Sequence, residues 1–376
     1  MLAKSRSCFF ECSVCGSQTD LILSSEKASH DQYSTFVSVH SENLRTRSET
    51  VNRKTIGIIG AGAFAMGRMP RLLVDPRFKL VGLHDVSKCA QANFQSHHYH
   101  ENIPFFASIE SLLACARPDL LWITTTAPSH LEIATAILES ESNSTTVLIE
   151  KPISNNLQAA RDFCSFCQVC GGDVAVDYPR RAIPAYHELR RIVSDGVLGN
   201  VETVTVDGIG AVSMNGSHFL DLALFLTDIQ PTAVFAAFTK TALAHHRGAR
   251  FSEPFGRVRI ETHERLQVLL NMRQPTGAHE HVIRICGTAG SATIREKQGV
   301  IDINGHHQLR FSPSVDDWIF DYLVGVSSGA PFVCRPVDAS RSLEIIAAAF
   351  VSHEHGAKAV ALPLTGRAAT SSLRIA

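Results

Sequence analysis

The sequence predicts an α/β chain with two folded parts. The first is a doubly wound parallel sheet, and the second is an α+β domain around a large, open, mostly antiparallel sheet. Two observations carry this. From Thr55 to about Asp177, short apolar runs alternate with helical segments, the pattern of a parallel sheet covered by helices on both faces. After Tyr178, strand-like segments follow one another with few helices between them, which reads as a mostly antiparallel sheet. A third observation sets the N-terminal limit: residues 1–53 are Ser-rich and polar without sustained period, and read as a poorly ordered extension. The expected organisation is therefore 1–53, 54–178 and 179–376.

Strands are expected at Thr55–Gly60, Phe78–Asp85, Ile103–Ala107, Leu120–Thr125, Val147–Glu150 and Asp173–Asp177. Between them, helical periodicity covers Ala63–Val74, Ser87–Ser96, Ser108–Ala116, Pro128–Ser140 and Asn155–Cys170. In the second part a helix is expected over Pro184–Val197, with Pro184 acceptable in its first turn. An apolar helix starts near Ser217, and a late one covers Asp338–His353. Strands are expected at Val201–Val206, Ala233–Thr239, Val258–Thr262, Leu266–Met272, Val282–Cys286 and Ala292–Ile294.

Composition excludes several classes. The chain has 376 residues, enough for two domains at about 100–200 residues each. Lys plus Arg is 35 against 36 for Asp plus Glu, a net charge of −1, so there is no basic excess to hold nucleic acid. With 45% hydrophobic and 19% charged residues, the chain has ample material for a core and is not globally disordered. The most apolar stretch, Phe219–Phe238, is broken by Asp221, Asp228 and Pro231, so no membrane span is expected. Ten cysteines are too dilute for a disulfide scaffold, and Glu11 interrupts the only apolar patch near the start; a cytoplasmic setting is expected. Cys8, Cys12 and Cys15 have the spacing of an iron–sulfur motif, but no barrel follows, and no metal site is expected. Cys164, Cys167 and Cys170 share a helix face and read as buried core cysteines.

Three motifs carry chemistry. The first, Gly60-Ala-Gly62-Ala63-Phe64-Ala65, sits between a strand and a helix. Gly60 permits the tight turn, Gly62 lets the backbone approach a pyrophosphate, and Ala65 lets the helix pack close to the strand. The helix N-terminus then offers free N–H groups to phosphate. Asp85, about twenty residues on, can accept hydrogen bonds from ribose hydroxyls and repels a 2′-phosphate. NAD is favoured, and Lys88 lies close enough in sequence to leave NADP open. The second motif, Glu150-Lys151-Pro152, closes a buried strand at its carboxyl end, where ligands of open α/β sheets bind. Pro152 turns the chain out of the sheet and leaves Lys151 near the cleft. Read locally, Lys151 is a proton donor or acceptor if its pKa is lowered, and otherwise a solvated surface lysine. The third motif is Gly216-Ser-His218-Phe-Leu-Asp221. His218 and Asp221 are three apart on a helix, so Asp221 could orient the imidazole; the alternative is a satisfied histidine near a helix start.

These motifs, taken in order, resemble the Gfo/Idh/MocA oxidoreductase family, which includes glucose–fructose oxidoreductase and inositol dehydrogenase. The glycine turn comes first, then Ile123-Thr-Thr-Thr-Ala-Pro128-Ser-His130, then Glu150-Lys151-Pro152. Tyr178-Pro-Arg180-Arg181-Ala-Ile-Pro184, Gly196-Val-Leu-Gly199, the His218 helix and Cys286-Gly287-Thr288-Ala-Gly290-Ser291 complete the series, over about residues 55–362. The resemblance implies a Rossmann domain over 54–178 and a substrate-binding and oligomerisation domain over 179–376. It implies NAD(P)-dependent hydride transfer at a carbinol carbon of a sugar, polyol or sugar derivative, by a homodimer or homotetramer. Lys151 and His218 would be catalytic, with Asp221 in support. The cofactor site would draw on Gly60, Gly62, Ala63, Phe64, Ala65, Asp85, Thr125, His130, Glu150, Pro152 and Arg181.

The chain departs from the family at Met214, where an acidic residue is common four before the histidine, and in the short stretch from Val206 to His218. Two other classes stay open: an NAD-dependent glycoside hydrolase using transient oxidation, and a non-catalytic dinucleotide-binding regulator.

Overall fold

A computed structural model describes residues 53–97, 103–140, 145–239, 243–244, 251–274 and 280–375. The Cys8, Cys12 and Cys15 motif and the expected N-terminal extension lie outside the described residues, apart from Arg53.

The first sheet is built from β1 (Lys54–Ile59), β2 (Phe78–His84), β3 (Phe105–Phe106), β4 (Leu120–Ile123), β5 (Thr146–Ile149) and β6 (Val174–Val176). The strand order is β3-β2-β1-β4-β5-β6, and every pairing is parallel. The helices α1 (Ala63–Val74), α2 (Lys88–Gln95), α3 (Ile109–Ala116), α4 (Ala127–Glu139) and α5 (Leu157–Cys170) connect them. β4 and β5 carry near-continuous apolar runs because helices cover both faces of the sheet. Local chemistry sets several helix ends. The Ser108 and Ser111 side chains cap α3 reciprocally, and the Asn156 side chain accepts from the Ala159 N–H at 3.0 Å to open α5. Gly171, left-handed at φ 68°, closes α5. The order reverses between β1 and β4, and a cleft forms outside the strand ends at such a point.

After α6 (Pro184–Ser194) the chain enters a nine-stranded sheet. Its strands are β7 (Val201–Ile209), β8 (Pro231–Phe238), β11 (Gly256–Thr262), β12 (Gln267–Arg273), β13 (Val282–Gly287), β14 (Ser291–Arg295), β15 (Val300–Ile303), β16 (His307–Arg310) and β17 (Val360–Ala361). β9 (Leu243–Ala244) and β10 (Ser252–Glu253) form a separate two-stranded ribbon. The order is β16-β15-β14-β13-β7-β12-β11-β8-β17; the β7–β12 pair is parallel and every other pair antiparallel. Alternation of buried and half-exposed positions along β7 and β11 shows one face packed and the other open. The packed face rests on α6, α7 (Asn215–Thr227) and α9 (Pro336–Glu354), through Tyr186, Leu189, Phe219, Leu222, Ile345 and Ile346. A short helix, α10 (Arg367–Thr370), lies near the C-terminus.

Two differences from expectation stand out. The hairpin β15–β16 and the helix α8 (Val315–Ser327) were not expected. α8 packs into the core of the first sheet through Ile319, Phe320, Tyr322 and Leu323, all buried; each such side chain stabilises by roughly 1.5–3 kcal/mol. Tyr322 Oη donates to Val176 O at 2.6 Å and accepts from Cys334 N at 2.8 Å, while Val176 N donates to Cys334 O at 2.9 Å. The free edge of β6 is thus closed by chain from the far end of the sequence. The cysteines on α5 are also not the buried face expected: Cys164 and Cys167 are half-buried and Cys170 is exposed. The apolar side chains Leu157, Ala160 and Phe163 take the buried positions instead.

Candidate active site

The glycine turn forms as its residue types require. Gly60 has φ 105°, and a Cβ there would lie 2.9 Å from the backbone of Thr124 and Thr125, so only glycine fits. Thr124 Oγ1 donates to Gly60 O at 2.5 Å and holds the turn against the end of β4. A Cβ on Gly62 would meet nothing within 4 Å, because the turn opens onto a cleft. Gly62 is also the N-cap of α1, which has no side-chain cap and no acid in its first turn. Its first amides are therefore left for an anion. Asp85, just past β2, accepts from Ala61 N and from Ser87 N, both at 2.7 Å. These two bonds fix the carboxylate at the wall of the cleft, and its lone pairs remain for further donors. Glycines, open helix amides and a fixed acid are the groups a dinucleotide needs, so the residues present fit NAD.

The cleft has a volume of about 1070 Å³. Gly60, Gly62, Ala63, Phe64, Asp85 and Thr125 line its turn side, and Glu150, Lys151 and His218 line the other. The Lys151–Pro152 peptide bond is cis, and Lys151 Nζ donates to Met214 O at 3.4 Å. Beneath it, Trp122 Nε1 donates to Glu150 Oε1 at 3.2 Å. Asp177 lies beside Glu150, because Ile149 and Val176 are partners in the β5–β6 register. Burial pushes the Glu150 carboxyl above its ordinary range, against the pull of Asp177, Lys151 and Trp122. Burial, and then the Glu150 charge, push Asp177 up much further.

His218 stands on the first turn of α7. Its Nδ1 is buried with no hydrogen-bond partner, and its ring meets the Tyr178 ring edge-on at 5.6 Å between centroids. Burial first, then the charges of Lys151 and Arg180, push its pKa well below the ordinary histidine value. The imidazole is therefore neutral near pH 7 and able to accept a proton. The far wall holds His281, whose Nδ1 accepts from Ile209 N at 3.3 Å, and the Trp318 ring, with the Arg180 guanidinium 5.5 Å from its centroid.

Five expected residues do not line the cleft. Asp221 does not orient His218. It is buried, and Arg181 donates to its two oxygens at 2.7 and 2.9 Å. A three-residue step leaves two side chains about 60° apart around the helix axis, so each can turn to a different neighbour when α7 is packed on most sides. Arg181 likewise does not face the cofactor side; a third bond, to Asp338 Oδ2 at 3.2 Å, completes its fork. His130 is a clamp, its ring nitrogens 2.9 Å from Pro152 O and 3.2 Å from Thr125 O. Pro152 lies buried below the lysine, and Ala65 is buried under α1, the packing role expected of it. The residues missed are Arg68, Asp177, Arg180, His281 and Trp318. Asp177 was detectable as an acid at the carboxyl end of an expected strand; the others come from elements whose direction only packing decides.

Comparisons with known proteins bear on the fold and on the first sheet. Residues 54–178 match the model of the oxidoreductase family with an NAD-binding Rossmann fold, Gfo/Idh/MocA. An uncharacterized oxidoreductase of Bacillus subtilis, YrbE, is 22% identical over 253 residues, covering 63% of this chain and 72% of that protein. Among solved structures, GenD2 from gentamicin A biosynthesis, in complex with NAD, has a TM-score of 0.68 at 20% identity, covering 86% of this chain and all of that one. A putative myo-inositol dehydrogenase from Sinorhizobium meliloti has a TM-score of 0.65 at 18% identity, covering 82% and 99%. The Gal80p super-repressor mutant from Saccharomyces cerevisiae has a TM-score of 0.65 at 16% identity, covering 85% and 100%. With its glycine turn and its strand-end lysine, the segment 54–178 carries the NAD-binding Rossmann fold of the Gfo/Idh/MocA oxidoreductase family.

Proposed function

We propose that the chain is an NAD(P)-dependent dehydrogenase or reductase that transfers a hydride between nicotinamide and a carbinol carbon of a sugar, polyol or sugar derivative. One observation supports this above the rest: Lys151 and a neutral His218 line the same cleft as the glycine turn. Bound NAD supplies the hydride acceptor. The substrate hydroxyl must lose its proton as the hydride leaves, and the neutral imidazole of His218 takes it. Lys151 Nζ stabilises the developing alkoxide, where a positive charge in a partly dry site acts most strongly. In the reverse direction the same two groups return the proton. Asp85 favours NAD over NADP, since both of its oxygens are held in place and its charge opposes a 2′-phosphate. In this reading residues 54–178 bind the dinucleotide, and 179–376 bind substrate and pair copies into a homodimer or homotetramer in the cytoplasm. Among the described residues no helix is long and apolar enough to cross a membrane.

A second reading, a dinucleotide-binding regulator, is favoured by Met214 at the position where the family commonly carries an acid, and by the likeness to Gal80p. The test is nicotinamide absorbance on mixing the protein with NAD or NADP and a panel of polyols, sugars and sugar nucleotides, with Lys151→Met alongside. A rise for the wild type alone supports the dehydrogenase. Cofactor binding without any rise across the panel overturns it in favour of the regulator or of a closed redox cycle that cleaves glycosides.

A further inference from the structure

The cleft holds a feature that hydride transfer as described does not use. Glu150 and Asp177 are two buried carboxyl groups that sit side by side at the ends of adjacent parallel strands. Backbone register puts them there: Glu150 N donates to Ile123 O at 2.9 Å and Asp177 N donates to Ile149 O at 2.8 Å, so both residues continue the parallel ladder by one position. Trp122 Nε1 supplies one donor to Glu150. Asp177 Oδ1 is buried and receives no donor from any protein N–H or O–H. A buried carboxylate oxygen without a donor is costly, and two adjacent carboxylates cannot both ionise in such a place. A single proton held between them removes both problems and leaves one negative charge, next to the Lys151 amine.

We infer that Glu150 and Asp177 share one proton and present a single negative charge to Lys151, which makes Asp177 a positioning residue for the lysine. The groups around the pair are Arg68 from α1, Lys151 itself, the indole of Trp122 on β4 and the phenol of Tyr322 on α8. Lys151 is further met from the start of α7 by Met214 O and by the neutral ring of His218. The Arg68 guanidinium stacks 4.2 Å from the Phe64 ring centroid, and its Nε, 3.8 Å from Asp316 Oδ1, is too far for a hydrogen bond. With the pair carrying one charge, the Lys151 amine stays an ammonium at rest, fixed and able to hold an oxyanion. This role rests on the reading of Lys151 as the group that handles the substrate oxygen.

Infrared difference spectroscopy tests the pair without substrate. At pH 7 the wild type minus Asp177→Asn, and the wild type minus Glu150→Gln, should each show the C=O stretch of a protonated carboxylic acid that shifts in D₂O. Absence of that band from both differences overturns the proposal. If Asp177→Asn fails to fold by circular dichroism, Glu150→Gln carries the same test. The link to Lys151 is read by reductive ¹³C-methylation of the amines and NMR titration of the Lys151 resonance. The double variant Glu150→Gln/Asp177→Asn should lower the Lys151 pKa by about 1–3 units, the effect of losing an opposite charge at close range. Asp177→Asn alone should leave it within about half a unit, because Glu150 keeps the charge. An unmoved titration in the double variant overturns the positioning role. Undiminished turnover by Lys151→Met would sink the dehydrogenase role of Lys151 and leave the infrared result standing, so the two failures are distinguishable.

Discussion

Two buried groups of charges lie within a short stretch of this molecule and are built on opposite rules. In the first, Arg180 makes two bonds to Glu296, at 2.5 and 2.7 Å, and Arg181 makes two to Asp221. Every charge there has a partner of opposite sign in fork geometry, Tyr186 Oη donates to Glu296 as well, and Arg180 lies 4.7 Å from the Phe219 ring centroid. In the second, Glu150 faces another acid, Lys151 finds a backbone carbonyl, and His218 Nδ1 has no partner. Burial is comparable and satisfaction is not. The first group ties α6, α7, α9 and the nine-stranded sheet together; the second leaves bonding capacity unspent in a cleft, which is what chemistry requires.

Four substitutions test this contrast. Lys151→Met should lower kcat by about 10²–10⁴-fold, as loss of a proton-handling or charge-stabilising group does, with little change in denaturant midpoint. A large loss of stability with activity retained would move Lys151 into the first group. Arg181→Ala should do the reverse. It leaves Asp221 buried and unpaired and should cost about 3–5 kcal/mol in urea unfolding, whereas unaltered stability would mean the ion pair is not a strut. Gly60→Ala should cost about 1–3 kcal/mol from the positive φ alone, and calorimetric titration should show weaker NAD binding. Unchanged affinity would remove the turn from the cofactor site.

The smallest effect is a dependence on pH. The folded pKa of His218 lies well below its unfolded value of about 6.5, so the folded protein keeps the ring neutral while the unfolded chain takes a proton. The sign follows: stability is full above pH 6.5 and falls as the pH drops, by about 1.4 kcal/mol per unit for this one group. His218→Gln should flatten the fall between pH 6.5 and 5; parallel curves for the two proteins would show that the ring titrates normally.

Much of the first sheet was legible because its signals are local. Gly60, Gly62 and Asp85 are spaced as one strand, one turn and one strand dictate, and Lys151 follows from a buried strand stopped by a proline. Some local signals went unread. Asn304 and Gly305, both at positive φ, make the turn of the β15–β16 hairpin, and Ser314 caps α8 ahead of Asp316 and Asp317. α8 is buried on most of its sides, so it shows no clean polar stripe to mark it as a helix. Other assignments were beyond any local reading. His130 and Asp221 sit on the helices expected for them, but each ring or carboxylate turns toward a partner distant in sequence, Pro152 in one case and Arg181 in the other.

In the first sheet, the order of strands and helices, the glycine turn, the acid after the second strand and the strand-end lysine are readable from sequence, because each depends on the conformational and bonding needs of a few neighbouring residues. Tertiary structure alone decided that Glu150 meets Asp177, that Asp221 meets Arg181, and that α8 closes over the first sheet. These are contacts between segments 27 to more than a hundred residues apart, set by strand register and helix rotation, and no local pattern of residues encodes where two such surfaces come to rest.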